Sequence, residues 1–169
     1  MIIGIDPGCS GSISCINDEG NYVSSELWSE MDIHVQIPKD TLVFMEDVTL
    51  ISKSSKSMSG FYRNVGWWEC FFALQGIKIN YVSPRIWQGY FNLLEPPKTY
   101  SNNFTKTQKD KAKREAKEEH KRKLKDFAVE LFGCDFKRRK DWDKADALLI
   151  AEWGRRNFVL AKRVERGKQ

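Results

Sequence analysis

Four acidic residues stand where chemistry becomes possible. Asp6 closes a short apolar run, Met1 to Asp6, and Glu46 closes another, Thr41 to Met45. Asp143 and Asp146 lie three residues apart at the start of a helical pattern, a spacing that puts both on one helix face. An acid at a buried strand end is costly without a cation or a hydrogen-bond partner. Strand ends and helix starts also hold side chains more rigidly than loops do. Four carboxylates drawn from three distant segments form a set of hard oxygen ligands suited to Mg²⁺ or Mn²⁺. Two such ions about 4 Å apart can activate water and stabilise a leaving oxygen in phosphodiester hydrolysis.

Taken singly, each acid has an ordinary explanation. Asp6 shapes a turn with Pro7 and Gly8, Glu46 is a surface acid, Asp143 is a helix N-cap, and Asp146 favours the helix dipole. Their joint placement is what points to a metal site. Asp47 and Asp141 are the neighbours that would replace the chosen acids if the registers slipped by a residue or two.

The elements that must position these acids follow from the pattern. After Asp6, the turn residues Pro7, Gly8, Ser10 and Gly11 lead into strand-like Ser12 to Ile16. A second turn, Asn17 to Gly20, leads into Asn21 to Trp28. That is a three-stranded antiparallel meander, followed by a fourth strand ending at Glu46. The stretch from Glu30 to Asp40 has no clear period, and Ser52 to Gly60 is polar. From about Gly60 to Leu74, Phe61, Val65, Trp68 and Phe72 recur at helical spacing. Lys78 to Val82 reads as a strand, and Pro84 opens a short helix with Ile86, Trp87 and Phe91. Glu95 to Phe104 reads as a loop. Thr107 to Leu131 reads as a long helix, polar first and then apolar at Leu124, Phe127, Ala128 and Leu131, with Gly133 as its cap. Asp143 to Phe158 reads as the last helix, with a small-residue seam of Ala147, Ile150, Ala151 and Gly154. The expected class is α/β, a mixed central sheet flanked by helices. The expected organisation is one domain over residues 1–160 and a basic tail over 161–169.

The 169 residues carry a formal net charge of +5, unevenly spread. Residues 98–125 hold eleven Lys or Arg against four Asp or Glu, and Lys137, Arg138, Arg139 and Lys140 form a second run. Concentrated positive charge is what a polyanion requires, since each phosphate contact releases counterions. A solvated helix face explains the same residues equally well. The four cysteines lack zinc-ligand or redox spacing and are expected as reduced thiols. No run of eighteen apolar residues and no signal-peptide pattern occurs, so an intracellular location is expected.

Gly4-Ile5-Asp6-Pro7-Gly8, Phe44-Met45-Glu46 and Asp143-Lys144-Ala145-Asp146-Ala147-Leu148 together resemble the RuvC-like Holliday junction resolvases, from Met1 to about Trp153. The resemblance implies a ribonuclease-H-like fold, two divalent ions (Mg²⁺, with Mn²⁺ substituting) held by Asp6, Glu46, Asp143 and Asp146, and a homodimer that nicks opposing strands of a four-way junction. It also implies a lysine of the late basic helix near the scissile phosphate, here Lys121 or Lys123. It places DNA contacts at the start of the helix after Glu46, in Lys53, Lys56, Phe61, Tyr62 and Arg63. Lys113, Lys137, Arg138 and Arg139 are the further phosphate-binding candidates from charge. The turn Gly8-Cys9-Ser10-Gly11-Ser12 resembles phage and organelle members rather than bacterial ones. The segment before Glu46 is too short for the helix bacterial members place there, and Glu95 to Lys125 is longer and more charged. These departures imply a phage- or organelle-type enzyme, in the cytoplasm of a bacterial host if phage-encoded, with action extending to forks or flaps. The alternatives are a nuclease of RNA–DNA hybrids and a non-catalytic DNA-binding module. Cleavage assays on a junction and a hybrid separate them.

Overall fold

A computed structural model describes residues 1–8, 10–30, 36–47, 55–95 and 104–159. Five strands form one sheet: β1 (Ile2–Asp6), β2 (Ser12–Ile16), β3 (Tyr22–Leu27), β4 (Leu42–Glu46) and β5 (Ile79–Val82), in the spatial order β3-β2-β1-β4-β5. The first three are the expected antiparallel meander. β4 runs parallel to β1 and β5 parallel to β4, which makes the sheet mixed. The helices are α1 (Ser55–Leu74), α2 (Pro84–Tyr90), α3 (Lys106–Phe132) and α4 (Trp142–Gly154).

β1 is buried along its whole length, because helices cover both sheet faces. The two-residue strand period sorts its side chains between two cores. Ile3 and Ile5, with Val43 and Met45 of β4, pack on Trp68, Phe71 and Phe72 of α1. Ile2 and Phe44 pack on the opposite side, with Leu148, Leu149, Ala151, Leu124 and Trp87 from α4, α3 and α2. Asp6 shares the parity of Ile2, and Glu46 that of Phe44. Both acids therefore face the α3 and α4 layer.

That layer sits very close to the sheet. A Cβ on Gly4 would lie 1.9 Å from the Ala147 carbonyl oxygen and 2.5 Å from the Ala151 nitrogen. A Cβ on Gly154 would lie 2.2 Å from the Phe44 ring. Absent side chains at these two points let the α4 backbone rest against β1 and β4, as the small-residue seam predicts.

Three boundaries differ from the sequence reading. α1 begins five residues earlier than Gly60, at Ser55, in a polar stretch without hydrophobic periodicity. α3 begins at Lys106 behind a capping box: Gln108 N donates to Thr105 Oγ1 at 3.3 Å and Thr105 N to Gln108 Oε1 at 2.8 Å. Gly133 ends it in the left-handed conformation at φ 64°. α4 begins one residue early, at Trp142, and ends at Gly154, where the chain widens into a π-helical turn, Arg155–Val159. The basic tail, residues 161–169, lies outside the described residues, as do Cys9 and Lys53. Among the described residues, no helix is long and apolar enough to cross a membrane.

Candidate metal and phosphodiester site

Asp6 leaves β1 pointing at α4, and the following turn closes around it. Gly8 N donates to Asp6 Oδ1 at 2.9 Å, and Asn64 Nδ2 of α1 donates to the Gly8 carbonyl at 2.7 Å. The start of α4 is tied to the same strands. Ser12 Oγ donates to the Asp143 carbonyl at 2.6 Å and Ser14 Oγ to the Lys144 carbonyl at 2.9 Å, while Ser10 Oγ donates to the Asp143 carboxylate. These serines on β2 and its approach fix the first turn of α4 over Asp6.

The result is a trio. Oxygens of Asp6, Asp143 and Asp146 lie within 4.8 Å of one another. The ammonium of Lys121, from α3, stands among them. Its Nζ is 2.9 Å from Asp143 Oδ1 and 3.9 Å from Asp6 Oδ2, and it donates to Asp146 Oδ2. Of the two lysines considered from sequence, the structure brings Lys121 to the acids. Lys123 is turned to solvent, 3.1 Å from Glu119. The helix period explains this: Lys121 shares a face with buried Leu124 and Ala128, and Lys123 lies across the helix from Lys121.

Glu46 is half-buried at the same end of the sheet, beside the trio but not within its 4.8 Å cluster. Its Oε2 accepts a 3.0 Å hydrogen bond from Trp87 Nε1 on α2. Asp47, one residue on, has the opposite strand parity, and its charge is felt by Tyr81. Asp141 is also elsewhere: Arg138 donates to it through Nε at 3.0 Å and a terminal nitrogen at 2.8 Å, and Lys144 lies 3.8 Å away. Neither neighbour joins the trio.

The electrostatics show a site short of positive charge. Burial raises the Asp6 carboxyl above its ordinary range, against the pull of Lys121. Burial pushes Asp146 up to about 7, again against Lys121. Burial, followed by the charges of Asp6 and Asp146, pushes Glu46 up to about 8. Asp143 alone is held below the usual range, because Lys121 and the Ser10 hydroxyl outweigh its burial. Burial would lower Lys121, but Asp146, Asp6 and Asp143 hold it above its ordinary value. One ammonium cannot balance four carboxylates. Asp146 Oδ1 is buried with no hydrogen-bond partner among the described residues. Hard oxygen donors, a deficit of positive charge and an orphaned carboxylate oxygen fit a divalent cation, and the three aspartates can hold one.

The other candidates lie apart from this cluster. Tyr62 and Arg63 are exposed on the N-terminal half of α1, one and two residues before the Asn64 that grips the Gly8 turn. Lys56 and Phe61 lie on the same helix, with side chains outside the described residues, and Lys53 precedes it. Lys113 is exposed on the distal part of α3. Lys137 pairs with Asp135 at 2.7 Å, Arg138 with Asp141, and Arg139 with Glu118 at 2.5 Å, so each of these cations already has an acid. Sequence reasoning missed Ser10, Ser12 and Ser14, whose signal was an alternation of serines after the Asp6 turn. It also missed Lys117, whose charge reaches Asp6 and Asp143 from the same face of α3 as Lys121. Trp87 was read only as a member of the short helix that Pro84 opens.

No family model matches the chain, and no curated protein matches it in sequence. Its structure is nevertheless similar to solved proteins. Thermus thermophilus RuvC in complex with a Holliday junction substrate superposes with a TM-score of 0.58 at 13% identity, covering 92% of this chain and 94% of that one. A second Thermus thermophilus RuvC structure gives 0.53 at 14% identity, covering 92% and 95%. The class these findings define is the ribonuclease-H-like fold, a mixed sheet flanked by helices, as the sequence predicts.

Proposed function

We propose that this chain is a divalent-metal-dependent endonuclease that hydrolyses phosphodiester bonds in four-way DNA junctions. The observation that carries the reading is the convergence of Asp6, Asp143 and Asp146 within 4.8 Å, with Glu46 beside them, at one end of a ribonuclease-H-like sheet. The likeness to a protein solved with a Holliday junction over 92% of this chain supports the choice of substrate.

Asp6, Glu46, Asp143 and Asp146 would hold two Mg²⁺ ions, with Mn²⁺ able to substitute, which supply an activated water and charge stabilisation at the leaving oxygen. The chain's own contribution is placement. β1 and β4 hold two of the acids by strand parity, and the serines beside β1 lock the other two on α4. Lys121 neutralises part of the trio, and its ammonium is the cation best placed to donate to a phosphate oxygen as charge develops there. Lys117, exposed on the same helix, adds positive potential at the entrance. Tyr62 offers a ring for a splayed base and Arg63 a phosphate contact at the rim, and Lys53, Lys56 and Phe61 are the further DNA-contact candidates close to them in sequence. Lys113, Lys137, Arg138 and Arg139 contribute long-range attraction to the duplex arms.

Matched incisions on a two-fold junction need two active sites, so the working unit is a homodimer, with α1 as the contact helix. The short turn after Asp6 fits a phage- or organelle-type enzyme, whose action extends to forks and flaps. The deciding experiment incubates labelled junction, fork, flap, linear duplex and RNA–DNA hybrid with the protein, with and without Mg²⁺. Paired, Mg²⁺-dependent nicks in the junction are expected. Preferential cutting of the hybrid would overturn the substrate, and junction binding with no cutting under any divalent ion would make the chain a binding module.

A further inference from the structure

Two of the side chains that donate to the acids at this end of the sheet, Lys121 and Trp87, differ in kind. Lys121 is a cation and compensates charge in the trio. Trp87 is neutral, and its indole nitrogen can only donate. It meets Glu46 Oε2 at 3.0 Å. The fold fixes this meeting firmly. β5 runs parallel to β4 with Val82 opposite Glu46, so the chain leaves the sheet alongside the acid. Ser83 and Pro84 then turn it directly into α2, which brings Trp87 back over the strand end within one helical turn. The Trp87 ring is fully buried in the core formed by Val82, Phe91, Leu124 and Leu148. An indole so packed cannot swing away, and its polar edge is exposed to one carboxylate oxygen.

The chemistry of that pairing suits a cation ligand. A lysine or arginine at this position would orient Glu46 but also cancel its charge. A hydroxyl or amide could reverse its donor and acceptor roles. An indole N–H fixes the carboxylate plane, occupies one oxygen and leaves the negative charge available to a metal. We propose that Trp87 is the positioning residue of Glu46: it orients this carboxylate for a divalent cation without neutralising it. The inference rests on reading the four carboxylates as a divalent-metal site.

The test is a double-mutant cycle on metal affinity rather than on cleavage. Mn²⁺ binding is measured by calorimetry for the wild type, Trp87→Phe, Glu46→Ala and the double variant, with circular dichroism as the check on folding. Phenylalanine keeps an aromatic ring in the core and removes the donor together with part of the indole's volume, a packing loss that would act equally in both backgrounds. Trp87→Phe is expected to weaken the Glu46-dependent part of Mn²⁺ binding by about ten- to a hundred-fold, the usual effect of losing a partner of a metal ligand. In the Glu46→Ala background the same change should have no further effect, because its target is gone. Wild-type affinity in a folded Trp87→Phe protein overturns the proposal. So does an equal loss in both backgrounds, which would place the effect in the fold. If the wild type itself binds no Mn²⁺, the metal-site reading fails first. If the wild type binds and Trp87→Phe matches it, only the role of Trp87 fails.

Should Trp87→Phe not fold, the indole N–H signals of the protein's six tryptophans provide the decision. The signal displaced in Glu46→Ala belongs to this bond. In the wild type it should shift on Mg²⁺ addition and stay protected from solvent exchange. A signal that ignores Mg²⁺, or loses its protection, overturns the proposal.

Discussion

Two charged regions of the molecule are built on opposite plans. At the carboxylate end, acids from β1 and α4 converge from positions far apart in the chain, are largely buried, and share the ammonium of Lys121, with Glu46 of β4 beside them. In the basic run from Lys137 to Arg139, the cations are adjacent in sequence and exposed, and each is paired with its own acid. The first arrangement accumulates unmatched charge and needs another partner. The second consumes its charge in local pairs that solvent screens where they are exposed. A run of like charges in a sequence is therefore a weaker pointer to a ligand than scattered charges that the topology forces together.

The contrast breaks most sharply at Asp146. Asparagine keeps the shape and one oxygen but removes the charge and its demand for a cation. Single-turnover junction cleavage by Asp146→Asn should fall by at least about a thousand-fold, roughly 4 kcal/mol in the barrier. Circular dichroism and junction affinity should remain near wild type. Normal cutting by the folded variant would sink the four-carboxylate site.

Next in size is the scaffold of that site. Gly4→Ala drives a methyl into the α4 backbone at Ala147 and Ala151. It should cost about 3 kcal/mol in urea unfolding, the upper range of overpacking, and lift Asp143 and Asp146 away from Asp6. An unchanged midpoint would show that α4 does not need its close seat on β1.

Lys121→Met keeps the stem and removes the ammonium. With the trio uncompensated, the metal-free protein should lose about 2 kcal/mol, less than a fully buried pair would cost because Lys121 is partly exposed. Mg²⁺ should return part of that loss, and Mn²⁺ should bind the variant more tightly, since no ammonium competes for the same oxygens. Weaker Mn²⁺ binding would instead assign Lys121 to holding the aspartates in place for the ion.

Much of this was legible in the residues. Asp6 and Glu46 could be placed because buried strands announce themselves as apolar runs, and strand parity carries the acids to a definite face. Asp143 and Asp146 could be paired because their spacing matches a helix turn. The choice of Lys121 over Lys123 was available too, since Leu124, Phe127 and Ala128 already mark the inward face of α3. Trp87 was not legible: an aromatic at helical spacing signals burial, and the direction of its indole edge exists only after α2 has folded over β4. The start of α1 was hidden for a different reason. Its first turn is serine- and lysine-rich, without the apolar repeat that marks a helix. The pairing of the basic run was half visible, with Asp135 and Asp141 close in sequence, while Glu118 comes from α3.

The smallest effect belongs to that basic run, and its sign can be used. For Lys137 to reach a phosphate it must leave Asp135, 2.7 Å away, and Arg139 must leave Glu118. The acids stay behind and repel the same phosphate. Each contact then gains less than a free cation would, although it still releases counterions. Lys137→Gln with Arg139→Gln should therefore weaken junction binding by only about three-fold and flatten the salt dependence by less than the roughly 0.9 per contact expected for full neutralisation. Removing the acids instead, by Asp135→Asn with Glu118→Gln, should tighten binding to junction and linear duplex alike, because the freed cations then face the DNA without competitors. Arg138 has to stay in both variants. It holds buried Asp141 through two hydrogen bonds, and its loss would mix a folding defect into the affinity. Fluorescence anisotropy over a salt series, with urea unfolding alongside, separates the terms. A hundred-fold loss from the two glutamines, with no gain from removing the acids, would make the run a primary DNA contact despite its pairing. The difference between the two charged regions would then be one of location and not of design.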